Sequence, residues 1–104
     1  MQYTLNQYQN DAMVFRKDTA DEWYAFLNLS AEVGELLSLF AKARRDEQKV
    51  DRAAVKKELG DILWMVAAIA ADQHMSLGEV ADANMSKLTS RLERGVIEGS
   101  GDNR

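Results

Sequence analysis

The chain has 104 residues, 46% of them hydrophobic, a formal charge of −4, and neither cysteine nor proline. That length suits one domain around one core. The lack of cysteine excludes disulfides and thiolate chemistry, and a single histidine, His74, excludes a multi-histidine zinc site within one chain. No Lys/Arg run dominates, so nucleic acid is not an expected partner. No apolar run reaches the roughly 18 residues of a membrane span, and no cationic-then-apolar start marks a secretory signal. A cytoplasmic protein is expected.

Without proline, and rich in Ala, Leu, Glu, Lys and Met, the sequence favours long helices. The first predicted helix covers about 5–17, with Thr4 as N-cap and Gln7 closing a capping box. The second covers about 22–45, capped by Thr19 or Asp21, with Lys42, Arg44 and Arg45 at a basic end that suits the helix dipole. A polar loop at 46–50 leads to the third, about 51–73. The fourth starts at Ser76, boxed with Glu79, and ends near Arg94. Glycines at 95, 99 and 101 mark an irregular tail, 95–104. No strand-like alternation competes. The expected fold is all-α, a four-helix, bundle-like single domain over 1–104.

The second and third helices carry almost the same six residues 26 positions apart: Glu32-Val33-Gly34-Glu35-Leu36-Leu37 and Glu58-Leu59-Gly60-Asp61-Ile62-Leu63. Acids three residues apart share a helix face. Each copy also accepts a helical glycine at a cost of roughly 1 kcal/mol, which suggests two backbones crossing closely at Gly34 and Gly60. The apolar stripe of the second helix is Leu29, Val33, Leu36, Leu37 and Phe40, with Glu32 and Glu35 at its border. In the third helix Glu58 falls inside the stripe Val55, Ile62, Met65, Val66 and Ile69, and Asp61 sits at its edge. In the fourth, Asn84 lies within Leu77, Val80, Ala81, Leu88 and Leu92, with Lys87 and Arg91 on the shoulder.

An acid on a helix is ordinarily a solvated charge opposite the apolar face. Glu58 breaks that pattern and Glu32 strains it. A carboxylate taken out of water neutralises or finds a cation, and four acids in matched pairs exceed what nearby Lys and Arg balance. The pattern points to a metal site. All its donors are hard oxygens, which suits Mg²⁺ or Mn²⁺. No Glu-x-x-His pair is present for a di-iron bundle site. Mg²⁺ commonly binds with phosphates, and Lys42, Lys87 and Arg91 are candidates to meet them. Such equipment suits metal-assisted phosphoanhydride hydrolysis. Trp23, Tyr24 and Trp64 are candidates to stack on a base, and Phe26, Phe40, Met13, Met65 and Met85 are expected in the core. Without metal, Glu58 is expected to titrate above the ordinary glutamate range.

The pairs Glu32-x-x-Glu35 and Glu58-x-x-Asp61 resemble the signature of the MazG-like, all-α nucleoside triphosphate pyrophosphohydrolases. Tyr8-Gln9 is similar to that family's early YQ element, and the run Asn84-Met85-Ser86-Lys87-Leu88-Thr89-Ser90-Arg91 to its N-x-x-K-L-x-x-R stretch. The ending from Arg94 through Arg104 is similar to the tail of a short, single-domain branch. The resemblance implies Mg²⁺-dependent hydrolysis of an NTP or dNTP to the monophosphate and pyrophosphate. It implies that Glu32, Glu35, Glu58 and Asp61 carry the metal, with Glu35 activating water, and that Asn84, Lys87 and Arg91 hold substrate. It also implies assembly as homodimers or homotetramers. Phosphoribosyl-ATP pyrophosphohydrolase shares this acidic logic, and a non-catalytic helical assembly with a structural cation is the reading from another class.

Overall fold

Each helix begins where a side chain satisfies its first free amides. In the computed structural model, which describes residues 2–102, Thr4 caps α1 (Leu5–Met13) and Ser76 caps α4 (Leu77–Glu93). Both are complete capping boxes, with Gln7 and Glu79 reaching back. Asp21 caps α2 (Glu22–Arg45) by accepting from the Tyr24 amide, and Asp51 caps α3 (Arg52–Asp72) by accepting from Ala53 and Ala54. An oxygen at that position satisfies donors that have no partner within the helix.

The far ends of α2, α3 and α4 repeat one device. Residues Glu47, His74 and Gly95 take left-handed φ values of 53°, 58° and 70°. In each case two successive amides fold back onto the last turn, as in His74 N to Ala71 O and Met75 N to Ala70 O. This is the Schellman arrangement, in which glycine is the least strained residue. Only α4 uses glycine.

Helix α1 stops at Met13, four residues before the expected Lys17. The following backbone turns tightly, and Arg16 explains why it leaves the helix. Its guanidinium forks onto both Asp72 carboxylate oxygens at 2.8 and 3.0 Å, while its Nε donates to the Ala20 carbonyl. The segment 14–20 is therefore an anchored loop.

The α2–α3 hairpin is the largest contact, while α1 and α4 pack on α3 and on each other; α2 meets only α3. Ala67, Ala70 and Leu77 are the buried cluster where α1, α3 and α4 join, with Tyr8 and Met13 against it. Gln9, buried, stitches that junction. Its amide donates to the Ala67 and Met75 carbonyls, and its oxygen accepts from the Leu77 amide.

The result is an open molecule. Its radius of gyration is 16.5 Å, against ~13 Å for a compact domain of this length. No large side chain among the described residues is fully buried. Several expected core residues are corrected accordingly: Phe26, Phe40 and Met85 are exposed in the single chain, as are Val33, Leu37, Val66 and Leu92. Asn84, expected within the apolar stripe of α4, is exposed too. The close crossing expected at Gly34 and Gly60 is absent, since a Cβ built at either meets nothing within 4 Å. The helical period explains this. Gly34 lies two residues from both Glu32 and Leu36, roughly 200° around the axis, so it faces away when they face α3. Among the described residues no helix is long and apolar enough to cross a membrane.

Candidate metal centre

The hairpin turns the two acidic pairs toward each other. Oxygens of Glu32, Glu58 and Asp61 lie within 4.8 Å of one another. Glu35 stands beside them, near enough for its charge to act on both Glu32 and Glu58. Glu32 and Glu58 are half-buried, and one oxygen of each is shielded from solvent without a hydrogen-bond partner. A carboxylate oxygen in that state is costly unless a cation meets it.

The electrostatics agree. Burial pushes the Glu32 carboxyl above its ordinary range, and Glu35, Asp61 and Glu58 push it further. Burial also raises Glu58, followed by its hydrogen bond and charge repulsion with Glu35 and then the charge of Asp61. Tyr8 is raised by burial and by the nearby Asp61 charge, which puts its hydroxyl at the edge of the same field. Two orphaned oxygens in an all-oxygen donor set fit a hard divalent cation such as Mg²⁺ or Mn²⁺. Glu32, Glu58 and Asp61 form the candidate donor set, with Glu35 beside it.

A cavity of about 600 Å³ opens beside this group, lined by Glu32, Asp61, Phe15, Lys17, Tyr24 and Trp64 among others. That is ligand-sized. Trp64 is half-buried and fixed by donating its indole N–H to the Ala12 carbonyl at 3.2 Å. Lys17 and Phe15 reach the cavity from the 14–20 loop that Arg16 anchors. Both went unnoticed in the sequence, where Val14 and Phe15 continue the apolar rhythm of α1. The polar, small run Lys17-Asp18-Thr19-Ala20 was the available signal for a loop there.

The remaining candidates lie elsewhere. Lys42 faces a groove at the α2–α3 turn with Asp46 and Asp51, about 10 Å along the helix from Glu35. Asn84, Lys87 and Arg91 ride on α4, which does not touch α2. Arg91 is buried beneath the tail and donates to the Gly101 and Asp102 carbonyls and the Asp102 carboxylate. Lys87 pairs with the same carboxylate at 3.3 Å. These two cations, Lys87 first, hold the Asp102 carboxyl below its usual range. Arg104 lies outside the described residues.

Fold and site together define an all-α domain with an acidic, cation-ready centre between paired helices. The chain belongs to the MazG family: the model of the MazG nucleotide pyrophosphohydrolase domain matches residues 24–96, which takes in both acidic pairs and the Asn84–Arg91 run. It is also similar to the Gene 37 protein of Mycobacterium phage L5, at 41% identity over 85 residues, covering 78% of this chain and 75% of the phage protein. No solved structure gives a significant match.

Proposed function

We propose that the chain hydrolyses a nucleoside or deoxynucleoside triphosphate to the monophosphate and pyrophosphate, with Mg²⁺ as its ion and Mn²⁺ as a substitute. The observation that carries this reading is the pair of shielded, unpartnered oxygens on Glu32 and Glu58 beside a ligand-sized cavity, in a chain of the pyrophosphohydrolase family. A bound divalent ion supplies charge neutralisation for the polyphosphate and lowers the pKa of water.

The residues supply the rest. Glu32, Glu58 and Asp61 hold the ion. Glu35, exposed at the edge of the trio, takes the proton as water attacks the α-phosphorus, and the bond from that phosphorus to the α–β bridging oxygen breaks to release pyrophosphate. Lys17, which has no ion pair among the described residues, faces the cavity and meets phosphate charge. Trp64 supports the nucleoside. Lys87, Arg91 and Asn84 bind phosphate when the Asp102 carboxylate yields its place to an anion of the same sign, and Lys42 contributes from the hairpin end.

The active form is a homo-oligomer, a dimer or a tetramer. The support is the open single chain, with Leu37 and Leu92 60% and 69% exposed and α4 reaching no part of α2. Sedimentation equilibrium reads the mass directly.

A panel of NTPs and dNTPs with Mg²⁺, Mn²⁺ or EDTA, analysed by ³¹P NMR, tests the chemistry. Monophosphate and pyrophosphate are expected, lost in EDTA and reduced about 10²–10⁴-fold in Glu35→Gln. Orthophosphate as the product, or turnover indifferent to EDTA, contradicts the proposal.

A further inference from the structure

A second cavity, of about 390 Å³, adjoins the first, and Phe15 and Trp64 line both. Its other walls are Tyr3, Tyr8, Asp11 and Ala12. The two cavities share aromatic walls but differ in charge, since the first also carries Arg16, Lys17, Glu32 and Asp61 while the second carries Asp11 alone. The first holds Glu32, Asp61 and Lys17, groups suited to an ion and phosphates. The second is an aromatic slot whose one charged group is Asp11.

Helix geometry places one wall of the slot about a turn from the acids. Trp64 follows Asp61 by three residues on α3, close to one turn, about 5 Å. Tyr8, Asp11 and Ala12 follow the spacing that brings side chains to one side of α1, and Phe15 joins them from the loop that follows the helix. The Tyr3 and Tyr8 rings meet edge to face with centroids 6.3 Å apart, which stiffens that wall. The Trp64 indole N–H is already committed to the Ala12 carbonyl, so Trp64 offers its ring faces and no further hydrogen bond. The Asp11 carboxylate is exposed and has no hydrogen bond or ion pair among the described residues.

The geometry points to the slot as the seat of the nucleobase and to Asp11 as the residue that selects guanine. This rests on the nucleotide pyrophosphohydrolase reading above. An ionised carboxylate only accepts hydrogen bonds, through two coplanar oxygens. Guanine offers two adjacent donors, N1–H and the 2-amino group, and meets both oxygens at once. Adenine and cytosine offer one amino group beside a ring nitrogen that repels the second oxygen. Uracil and thymine offer one N–H flanked by two carbonyls. Aromatic walls accept any base, because stacking is tolerant of sequence, so discrimination falls to the carboxylate. A charge-assisted contact of this kind carries about ten- to a hundredfold in efficiency.

Two measurements on the full chain test this. First, kcat/KM is compared for GTP, ITP, ATP, CTP and UTP in the wild type and in Asp11→Asn, after thermal melts establish that the variant folds. The wild type is expected to favour GTP at least about tenfold over ATP and UTP, with ITP, which lacks the 2-amino group, between them. Asp11→Asn is expected to shrink the GTP-to-ATP ratio to within about threefold. Second, the Trp64 indole N–H resonance is followed by NMR as guanosine, inosine or adenosine is added without metal. Guanosine is expected to shift it at the lowest concentration, and to lose that lead in the variant. Turnover of several triphosphates without preference, or a GTP preference unchanged in Asp11→Asn, overturns the assignment of Asp11 while leaving pyrophosphohydrolysis standing. Guanosine binding that depends on Asp11, with no pyrophosphate from any triphosphate, overturns the hydrolase reading and leaves the slot standing.

Discussion

Arg16 and Asp72 lie 56 residues apart and form a two-pronged ion pair at 2.8 and 3.0 Å that ties the loop after α1 to the end of α3. Their side chains are only 15% and 20% exposed, so the pair is better shielded than an ordinary surface contact. Hydrogen bonding to Asp72 raises the Arg16 pKa further, which keeps the guanidinium charged at any working pH. Asp72→Asn removes the charge and keeps the shape. It is expected to cost about 1–3 kcal/mol, between exposed and fully buried pairs, and to raise the KM for substrate more than it lowers kcat, because Phe15 and Lys17 lose their position. Urea melts and steady-state kinetics read the two effects. An unchanged KM would show that the loop does not depend on the anchor.

The raised pKa values of Glu32 and Glu58 have a definite consequence for stability. Each group binds its proton more tightly in the folded chain than in the unfolded one. Folding is therefore favoured at low pH, and stability falls as pH rises from the ordinary value of 4.5 through the raised folded values. In EDTA, the melting temperature of the native chain should fall across that interval more than that of Glu32→Gln/Glu58→Gln. Saturating Mg²⁺ should restore stability above the interval, and its benefit should shrink as pH drops and protons compete for the same oxygens. Thermal melts from pH 4.5 to 8, with and without Mg²⁺, measure both. Parallel pH curves for native and variant chains would count against burial of these acids.

Gln9 makes a sharper mark on stability than its polar character suggests. The residue is 7% exposed, and its carboxamide joins α1 to the Ala67 carbonyl, the Met75 carbonyl and the first amide of α4. Gln9→Leu removes this partner from the Met75 carbonyl and the Leu77 amide in a buried junction, while the Ala67 carbonyl keeps its bond within α3, and is expected to cost about 2–4 kcal/mol. Gln9→Glu keeps the acceptor for Leu77 but loses the donor, and sets a carboxylate against two carbonyls. Chemical denaturation of both variants, with amide exchange at Leu77, checks this. A loss below about 0.5 kcal/mol in either would mean that water replaces the network readily.

The features readable in the sequence were those set by local rules. Thr4 with Gln7 and Ser76 with Glu79 act within one helical turn, so both capping boxes were visible from spacing alone. The same held for the faces of Glu32, Glu35, Glu58 and Asp61, since three-residue spacing places each pair and a short loop folds one helix onto the other. The end of α1 was not visible, because the loop after it is held by Asp72, far along the chain. The polar run at 17–20 signals a loop, but the placement of Phe15 and Lys17 at the cavity depends on that distant anchor. Gly34 and Gly60 misled because a repeated helical glycine suggests close contact, whereas both face open space in the single chain. Phe40 and Met85 misled because apolar spacing reports that a face is to be covered, not that the same chain covers it. The exposed faces of α2 and α4 carry that difference.

The most direct test of the acidic centre is the binding of the ion itself. Titration of the native chain with Mn²⁺, followed by electron paramagnetic resonance and calorimetry, should show saturable binding that Mg²⁺ displaces. Glu58→Gln should weaken it about 10-fold or more while the helical content stays the same. Mn²⁺ uptake equal in the native and Glu58→Gln chains, or no saturable uptake by the native chain with nucleotide present, would contradict the metal centre between α2 and α3.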